Sequence, residues 1–203
     1  MIIKSIILSI YFLILIGIGY FSSRKVSNIT DYYVGGKRLH YWVAALSARA
    51  TGESGWLLIG VTGMGALIGV GAFWIVIGEV LGVWLSWQFM AKKFKIMTDE
   101  YDSITITDFL VSHFGSTNHR LRLISATALS LFVVIYVSAQ IDITGKTFES
   151  FLDLNYYTGI GLGFGIVVLY IISGGFIAVA LSDFFQGALM FAGLVVLPLV
   201  TFY

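Results

Sequence analysis

The sequence contains no cysteine and a single proline among its 203 residues. Without cysteine, neither a disulfide framework nor a thiolate metal site can form. Charged residues make up only 11% of the chain, whereas 58% of residues are hydrophobic and 23 are glycine. Soluble domains carry far more charge, and the apolar stretches lack the alternation of β-barrel strands. The composition therefore predicts an all-α polytopic membrane protein whose helices pack through small residues.

Other absences disfavour whole classes of function. The net charge is only +1, and most of the basic residues lie in segments between apolar runs, so nucleic-acid binding is not expected. The three histidines, His40, His113 and His119, show no spacing suited to metal ligands. No Ser-His-Asp set, phosphate loop or catalytic pair of carboxylates emerges. We therefore expect neither an enzyme nor a resident cofactor.

Apolar runs long enough to cross a bilayer recur along the chain. We predict a single transmembrane domain with six spans, at about residues 2–21, 41–68, 72–90, 121–145, 157–172 and 184–203. A short interfacial helix is expected from Thr105 to Phe114, and the segment 173–183 is expected to be a tight turn. The first run is longer than a signal-peptide core and lacks a cleavage site, which disfavours removal of this segment.

Lysine and arginine are distributed unevenly between the predicted loops. Of the twelve, nine fall after the first and third spans (four and five), two fall on the opposite side, and one, Arg49, falls within a span. Loops rich in Lys and Arg stay on the cytoplasmic side. We therefore expect an external N-terminus in the inner, or plasma, membrane of the cell.

The second span is interrupted by polar residues at its centre, in the stretch AALSARATGESGWLLIG from Ala44 to Gly60. A charge at mid-bilayer costs roughly 2.5 to 3.5 kcal/mol on insertion scales, and Gly52 weakens a helix by about 1 kcal/mol relative to alanine. These residues predict a helix broken near positions 50–55. Broken spans place main-chain carbonyls at the midplane, where secondary transporters hold a cation and a small solute.

Glu53 admits two interpretations, which are compatible. Its carboxylate could lie beside a cation site, or it could pair with Arg49 four residues earlier. If Gly52 breaks the helix, that spacing is lost, and Glu79 on the third span becomes the candidate partner of Arg49. Thr51 and Ser54 offer hydroxyl oxygens of the kind that hard cations prefer, although such hydroxyls more often bond back to their own helix.

Four further residues of interest lie outside this stretch. Asp183 could cap the N-terminus of the sixth span or lie on a cytoplasmic ion path. Tyr136 could line a solute cavity or serve only in packing. Asp142 and Lys146, four residues apart, can pair on one helix face.

Three segments make the chain recognisable. They are DYYVGGKRL (Asp31–Leu39), ALSARATGESGWLL (Ala45–Leu58) and GGFIAVALSDFFQ (Gly174–Gln186). Together they resemble the sodium:solute symporter family, and in particular its sodium/proline symporters. The resemblance implies a fold of two inverted five-helix repeats preceded by one extra helix. This chain would supply the extra helix and the first repeat, and the second repeat would be absent.

The resemblance also implies a distribution of roles. The sodium site would use the main-chain carbonyls of Ala50 and Glu53, with Ser54 nearby. Tyr136 falls where sodium/proline symporters have a tyrosine implicated in solute binding, and we place Thr51 and Gly52 at the solute with it. Asp183 falls where they have an aspartate linked to sodium-dependent transport, which implies coupling or gating. Arg49 and Glu79 are assigned to the same function from the residues alone, mainly as a structural pair. The family has an aspartate at the position of Gly52, whereas this chain places its acid one residue later, about 100° further round a helix.

The sequence therefore predicts the N-terminal part of a sodium-coupled symporter that imports proline or a related amino acid by alternating access. Sodium would be the coupling ion. The bilayer and a missing C-terminal half of the same protein would be its partners. The alternative is a symporter-like membrane sensor module of a histidine kinase.

Overall fold

The computed structural model describes residues 2–116 and 118–201, which form helices and loops without strands. Its α-helices are α1 (Ile2–Ser23), α2 (Ile29–Val34), α3 (Tyr41–Gly52), α4 (Thr62–Ile68), α5 (Phe73–Leu85), α6 (Lys92–Glu100), α7 (Ile106–His113), α8 (His119–Leu152) and α9 (Tyr156–Thr201). Short π-helical turns precede α4 and follow α5, at Trp56–Val61 and Ser86–Ala91.

Four helical segments of the described chain are long and apolar enough to cross a membrane: Ile3–Ser23, Ile59–Glu100, His119–Leu152 and Tyr156–Thr201. The prediction of an all-α polytopic membrane protein is confirmed. The chain divides into two compact units. One spans Met1–Ser54 with Gln140–Tyr203, and the other spans Gly55–Ala139.

The core of the first unit lies between α1 and α9. Leu15, Tyr170 and Ala178 are almost fully buried there, and the ring of Tyr11 stacks on that of Phe185, with centroids 6.3 Å apart. Small residues permit this close approach, as expected for helices that associate by van der Waals packing in lipid.

The helix α9 reverses direction within its length. Gly175 has φ 54° and ψ −146°, outside the helical region. Before Gly175, Tyr170 packs on Gly19 of α1. Gly174, directly before the turn, lies against Ser22 near the C-terminal end of α1. After the turn the chain runs back along α1, and Phe185 contacts Tyr11. α9 is therefore two helices joined at one glycine, and the second of them runs back along α1.

The predicted turn over residues 173–183 is wrong in its extent. The chain turns at Gly175 alone, and the residues after it, through Asp183, are already helical. A glycine can adopt a positive φ at no steric penalty, so a single residue suffices and the apolar run FIAVAL is left free to form helix. Asp183 lies eight residues after the turn, so of its two interpretations the N-terminal cap is wrong, and a role on an ion path stays a prediction.

The short helix α2 packs against the turn at Gly175. Its N-cap Asn28 accepts a hydrogen bond from the Asp31 amide at 2.7 Å, and the Asp31 carboxylate accepts from the hydroxyl and the amide of Ser27. The Ser27 hydroxyl bond, followed by the amide bond, lowers the pKa of Asp31, so this carboxylate stays ionised near neutral pH. Tyr32 donates its hydroxyl to the Ile171 carbonyl at 3.3 Å and fixes α2 to α9.

The second unit contains a short helix, α7, within the range where the sequence predicts one; its interfacial location stays a prediction. Thr105 caps it by accepting from the Asp108 amide at 3.1 Å. Phe109 is buried against Phe94 of α6, with ring centroids 5.0 Å apart. Asp108 also pairs with Arg122 at the start of α8, at 3.2 Å. These contacts tie α7 to α6 and to α8.

The C-terminal end of α8 packs on the start of α9. Lys146 pairs with Asp142 at 2.7 Å, as their spacing predicted. Tyr156 donates its hydroxyl to the other oxygen of Asp142 at 2.8 Å. A Cβ atom at Gly145 would lie 2.6 Å from the Tyr156 ring, so glycine is required for this contact.

Replacing Gly175 by alanine should destabilise the protein by about 2 kcal/mol or more, because alanine is strained at this φ and ψ. The added Cβ would also lie 2.5 Å from the Tyr32 carbonyl oxygen. Thermal unfolding of the purified chain in detergent, followed by tryptophan fluorescence, measures the loss. Gly165→Ala is the matched control, since its Cβ would meet nothing within 4 Å. Equal melting temperatures for the two variants would contradict the assignment of the turn to Gly175.

Candidate functional site

Helix α3 ends in a tight turn centred on Glu53. The Glu53 amide still donates to the Arg49 carbonyl at 3.0 Å, as in a helix, but the Ser54 amide donates to the Gly52 carbonyl at 3.0 Å. Glu53 has φ −80° and ψ 68°, which are the angles of an inverse γ-turn. The Ser54 amide thereby leaves the helical ladder that would have taken it to Ala50. The interruption lies within the predicted stretch of residues 50–55.

Arg49 and Glu53 form an ion pair at this end of α3. The Glu53 side chain is only 10% exposed and that of Arg49 is 41% exposed. The expectation that a break at Gly52 separates the two residues is wrong, because Glu53 keeps its amide bond to the Arg49 carbonyl and with it the four-residue helical spacing. Glu79 lies on α5 in the second unit, and its pairing with Arg49 stays a prediction.

The second carboxylate oxygen of Glu53, Oε2, is buried and has no hydrogen-bond partner among the described residues. A buried polar atom without a partner is costly, more so when it is charged. The arrangement therefore favours a cation at Oε2. The negative end of the α3 dipole lies at the same place and adds to this preference.

The other residues of the break offer oxygen atoms rather than metal-binding side chains. Thr51 donates its hydroxyl to the Ser47 carbonyl at 2.9 Å, the back-bonding that the sequence left open as an alternative to cation binding. Thr51 and Gly52 are exposed, whereas Ala50 and Ser54 are half-buried. Across the described residues, no group of three or more His, Asp or Glu could hold a metal ion. Main-chain oxygens and one carboxylate are therefore the ligands that this part of α3 can offer to a cation.

Asp183 approaches α3 from the returning half of α9. Ser47 donates its hydroxyl to the Asp183 carboxylate oxygen Oδ2 at 2.7 Å, and Ser47 is 8% exposed. Sequence reasoning missed Ser47. The sequence offered one indication that Ser47 belongs to the site, which is its position one helical turn before Thr51 on the same face of α3. Its partner could not be predicted, because it lies 136 residues away.

Tyr136 and Glu79 belong to the second unit. Tyr136 lies on α8 and is 46% exposed, and Glu79 is half-buried on α5. Their roles at the solute and in gating stay predictions.

The model of the sodium:solute symporter family matches residues 32–203 of the chain. The chain is 43% identical over 187 residues to the high-affinity proline transporter PutP of Bacillus subtilis, covering 92% of this chain and 40% of the relative. It is 39% identical over 196 residues to the osmoregulated proline transporter OpuE of the same organism, covering 96% of this chain and 40% of the relative.

A sodium/proline symporter of Staphylococcus aureus is 35% identical over 197 residues, covering 96% of this chain and 38% of that protein. No solved structure gives a significant match. The chain spans about two fifths of the length of these relatives. The resemblance carried by the three sequence segments is confirmed, and the chain belongs to the sodium:solute symporter family.

Proposed function

We propose that this chain is the N-terminal part of a sodium-coupled symporter that imports proline or a related amino acid. The observation that carries the proposal is the buried Oε2 atom of Glu53 at the end of α3, which has no hydrogen-bond partner within the described part of the chain. Family membership and the named proline transporters among the relatives support the choice of ion and solute. The remainder of the symporter would supply the other ligands.

Sodium is the coupling ion in this proposal, and no cofactor takes part. The main-chain carbonyls of Ala50 and Glu53 approach the ion, with Ser54 beside them. The Glu53 carboxylate adds a charged oxygen, while Arg49 neutralises part of its charge. A dehydrated cation needs several oxygen ligands at once, so a helix end beside a buried acid suits it better than an intact helix would.

The solute binds next to the ion in this proposal. Thr51 and Gly52 are exposed at the end of α3 and would present polar backbone to an amino acid, and Tyr136 would contact the same solute. Sodium would stabilise the solute-competent form because it binds that form more tightly. Coupling follows from this difference, and alternating access then exposes the occupied site to each side of the membrane in turn.

The proposed location is the plasma membrane, with the N-terminus outside, as the distribution of Lys and Arg predicts. The sensor alternative gains no support from the three relatives described above, because all three are named as transporters or symporters.

The first test is transport by the full-length protein that carries this chain, reconstituted in liposomes. An inward sodium gradient should drive accumulation of labelled proline, and replacing sodium by potassium should abolish it. Uptake that persists without sodium but collapses with a protonophore would replace sodium by the proton as the coupling ion. Binding of proline without accumulation would overturn the symporter proposal and favour a sensor.

The second test removes the charge at the break. Glu53→Gln should raise the sodium concentration for half-maximal uptake at least tenfold, which corresponds to about 1.4 kcal/mol, since the neutral amide attracts a cation far less than a carboxylate does. The main-chain oxygens remain, so uptake at saturating sodium should persist.

Glu100→Gln is the control for this second test, because it removes an exposed carboxylate at the end of α6 and should leave the sodium dependence unchanged. If Glu53 serves only as the ion-pair partner of Arg49, Glu53→Gln will lower the melting temperature without moving the sodium requirement. That result would remove the carboxylate from the ion site.

A further inference from the structure

The hydrogen bond between Ser47 and Asp183 joins the two helices of the first unit that carry the candidate ion site and the coupling aspartate. Its length is 2.7 Å, and hydrogen bonds to a charged acceptor are among the strong ones. Ser47 is almost fully buried. On the next turn of α9, Gly187 lies against Leu46 of α3 with only ordinary van der Waals spacing. The bond therefore lies where α3 and α9 pack together, with Ser47 buried and Asp183 half-buried.

Ser47 also lies on the same helix as the break, between one and two turns before it. Its carbonyl accepts the Thr51 hydroxyl one turn later, and Glu53 follows six residues after Ser47, or about 9 Å along the helix axis. A carboxylate held at Ser47 is thus on the order of 10 Å from the break. In a protein interior a unit charge at that distance changes cation affinity by roughly tenfold.

We propose that Ser47 is a positioning residue that holds the Asp183 carboxylate against α3 and thereby sets the sodium affinity of the break. This inference rests on the function proposed above. Asp183 does not touch the ion in this arrangement. It contributes its negative charge from one fixed place, and the Ser47 hydroxyl determines that place.

Three variants test the proposal by sodium-dependent uptake in the full-length protein. Ser47→Ala removes the donor and should raise the sodium concentration for half-maximal uptake about tenfold, while uptake at saturating sodium changes little. Ser47→Thr keeps the hydroxyl and should restore most of the affinity. Ser9→Ala is the control, because Ser9 is exposed and its hydroxyl bonds only to the Ser5 carbonyl of its own helix.

A double-mutant cycle separates positioning from independent effects. If Ser47 acts through Asp183, adding Ser47→Ala to Asp183→Asn should shift the sodium requirement no further than Asp183→Asn alone. Multiplication of the two single effects would show that Ser47 acts elsewhere, which would overturn the proposal.

A disulfide reports whether the helix contact survives. A Cβ at Gly187 would lie 3.8 Å from the Leu46 Cβ, which is the usual separation in a disulfide, and the chain has no cysteine of its own. The pair Leu46→Cys and Gly187→Cys should crosslink readily under oxidation, and equally well with Ser47→Ala added. This readout does not depend on transport.

The outcomes are distinguishable. An unchanged sodium requirement in Ser47→Ala, with the crosslink intact, overturns this inference and leaves the proposed function standing. Loss of the crosslink in Ser47→Ala shows a packing role only and also overturns it. Failure of the unsubstituted protein to take up proline with sodium overturns the proposed function, and with it the ion that Ser47 was proposed to influence.

Discussion

A helix that crosses a bilayer must satisfy its backbone polar groups within the protein, since no water is available in the hydrocarbon region. Helix α3, which the sequence predicts to lie within the second span, is interrupted at one point, where the Ser54 amide turns back to Gly52. The γ-turn keeps that amide bonded, and the Arg49 carbonyl keeps its helical partner. Glu53 then has one carboxylate oxygen paired to Arg49 and one buried without a hydrogen-bond partner among the residues that the structure describes. The rest of the candidate site depends on this local imbalance.

The turn at Gly175 determines which residues surround the end of α3. Because α9 reverses at a single residue, its second half returns along α1 and meets α3 with Asp183 and Gly187 on successive turns. A longer connection would leave the position of Asp183 dependent on a mobile loop. Packing through glycine also fixes the position of α9, since Gly19 lets α9 approach α1 more closely than any side chain would permit. A negative charge is thereby fixed beside the interrupted helix.

The break itself could be predicted from the sequence because its causes are local: two charges and Gly52 within one apolar span. The residue at which the helix ends could not be predicted. Gly52 costs a helix only about 1 kcal/mol, so it remains the last helical residue and the chain turns one position later. Asp183 was misplaced because the sequence does not tell which glycine of the pair adopts a positive φ, nor that one is enough. The partner of Ser47 depends on packing between distant segments, which no local pattern encodes.

The position of the acid explains how Arg49 can be accommodated in a predicted apolar span. An acid at position 53 lies one turn after Arg49, where the side chains of a helix meet. An acid at position 52, where the family resemblance places its aspartate, would lie three residues from Arg49, still within pairing distance, but about 100° away from position 53 around the helix axis. Arg49 and Glu53 are thus a matched pair in this chain. The pair offsets the cost of both charges in the membrane and still leaves the second Glu53 oxygen to a cation, so the displaced acid is compatible with an ion site.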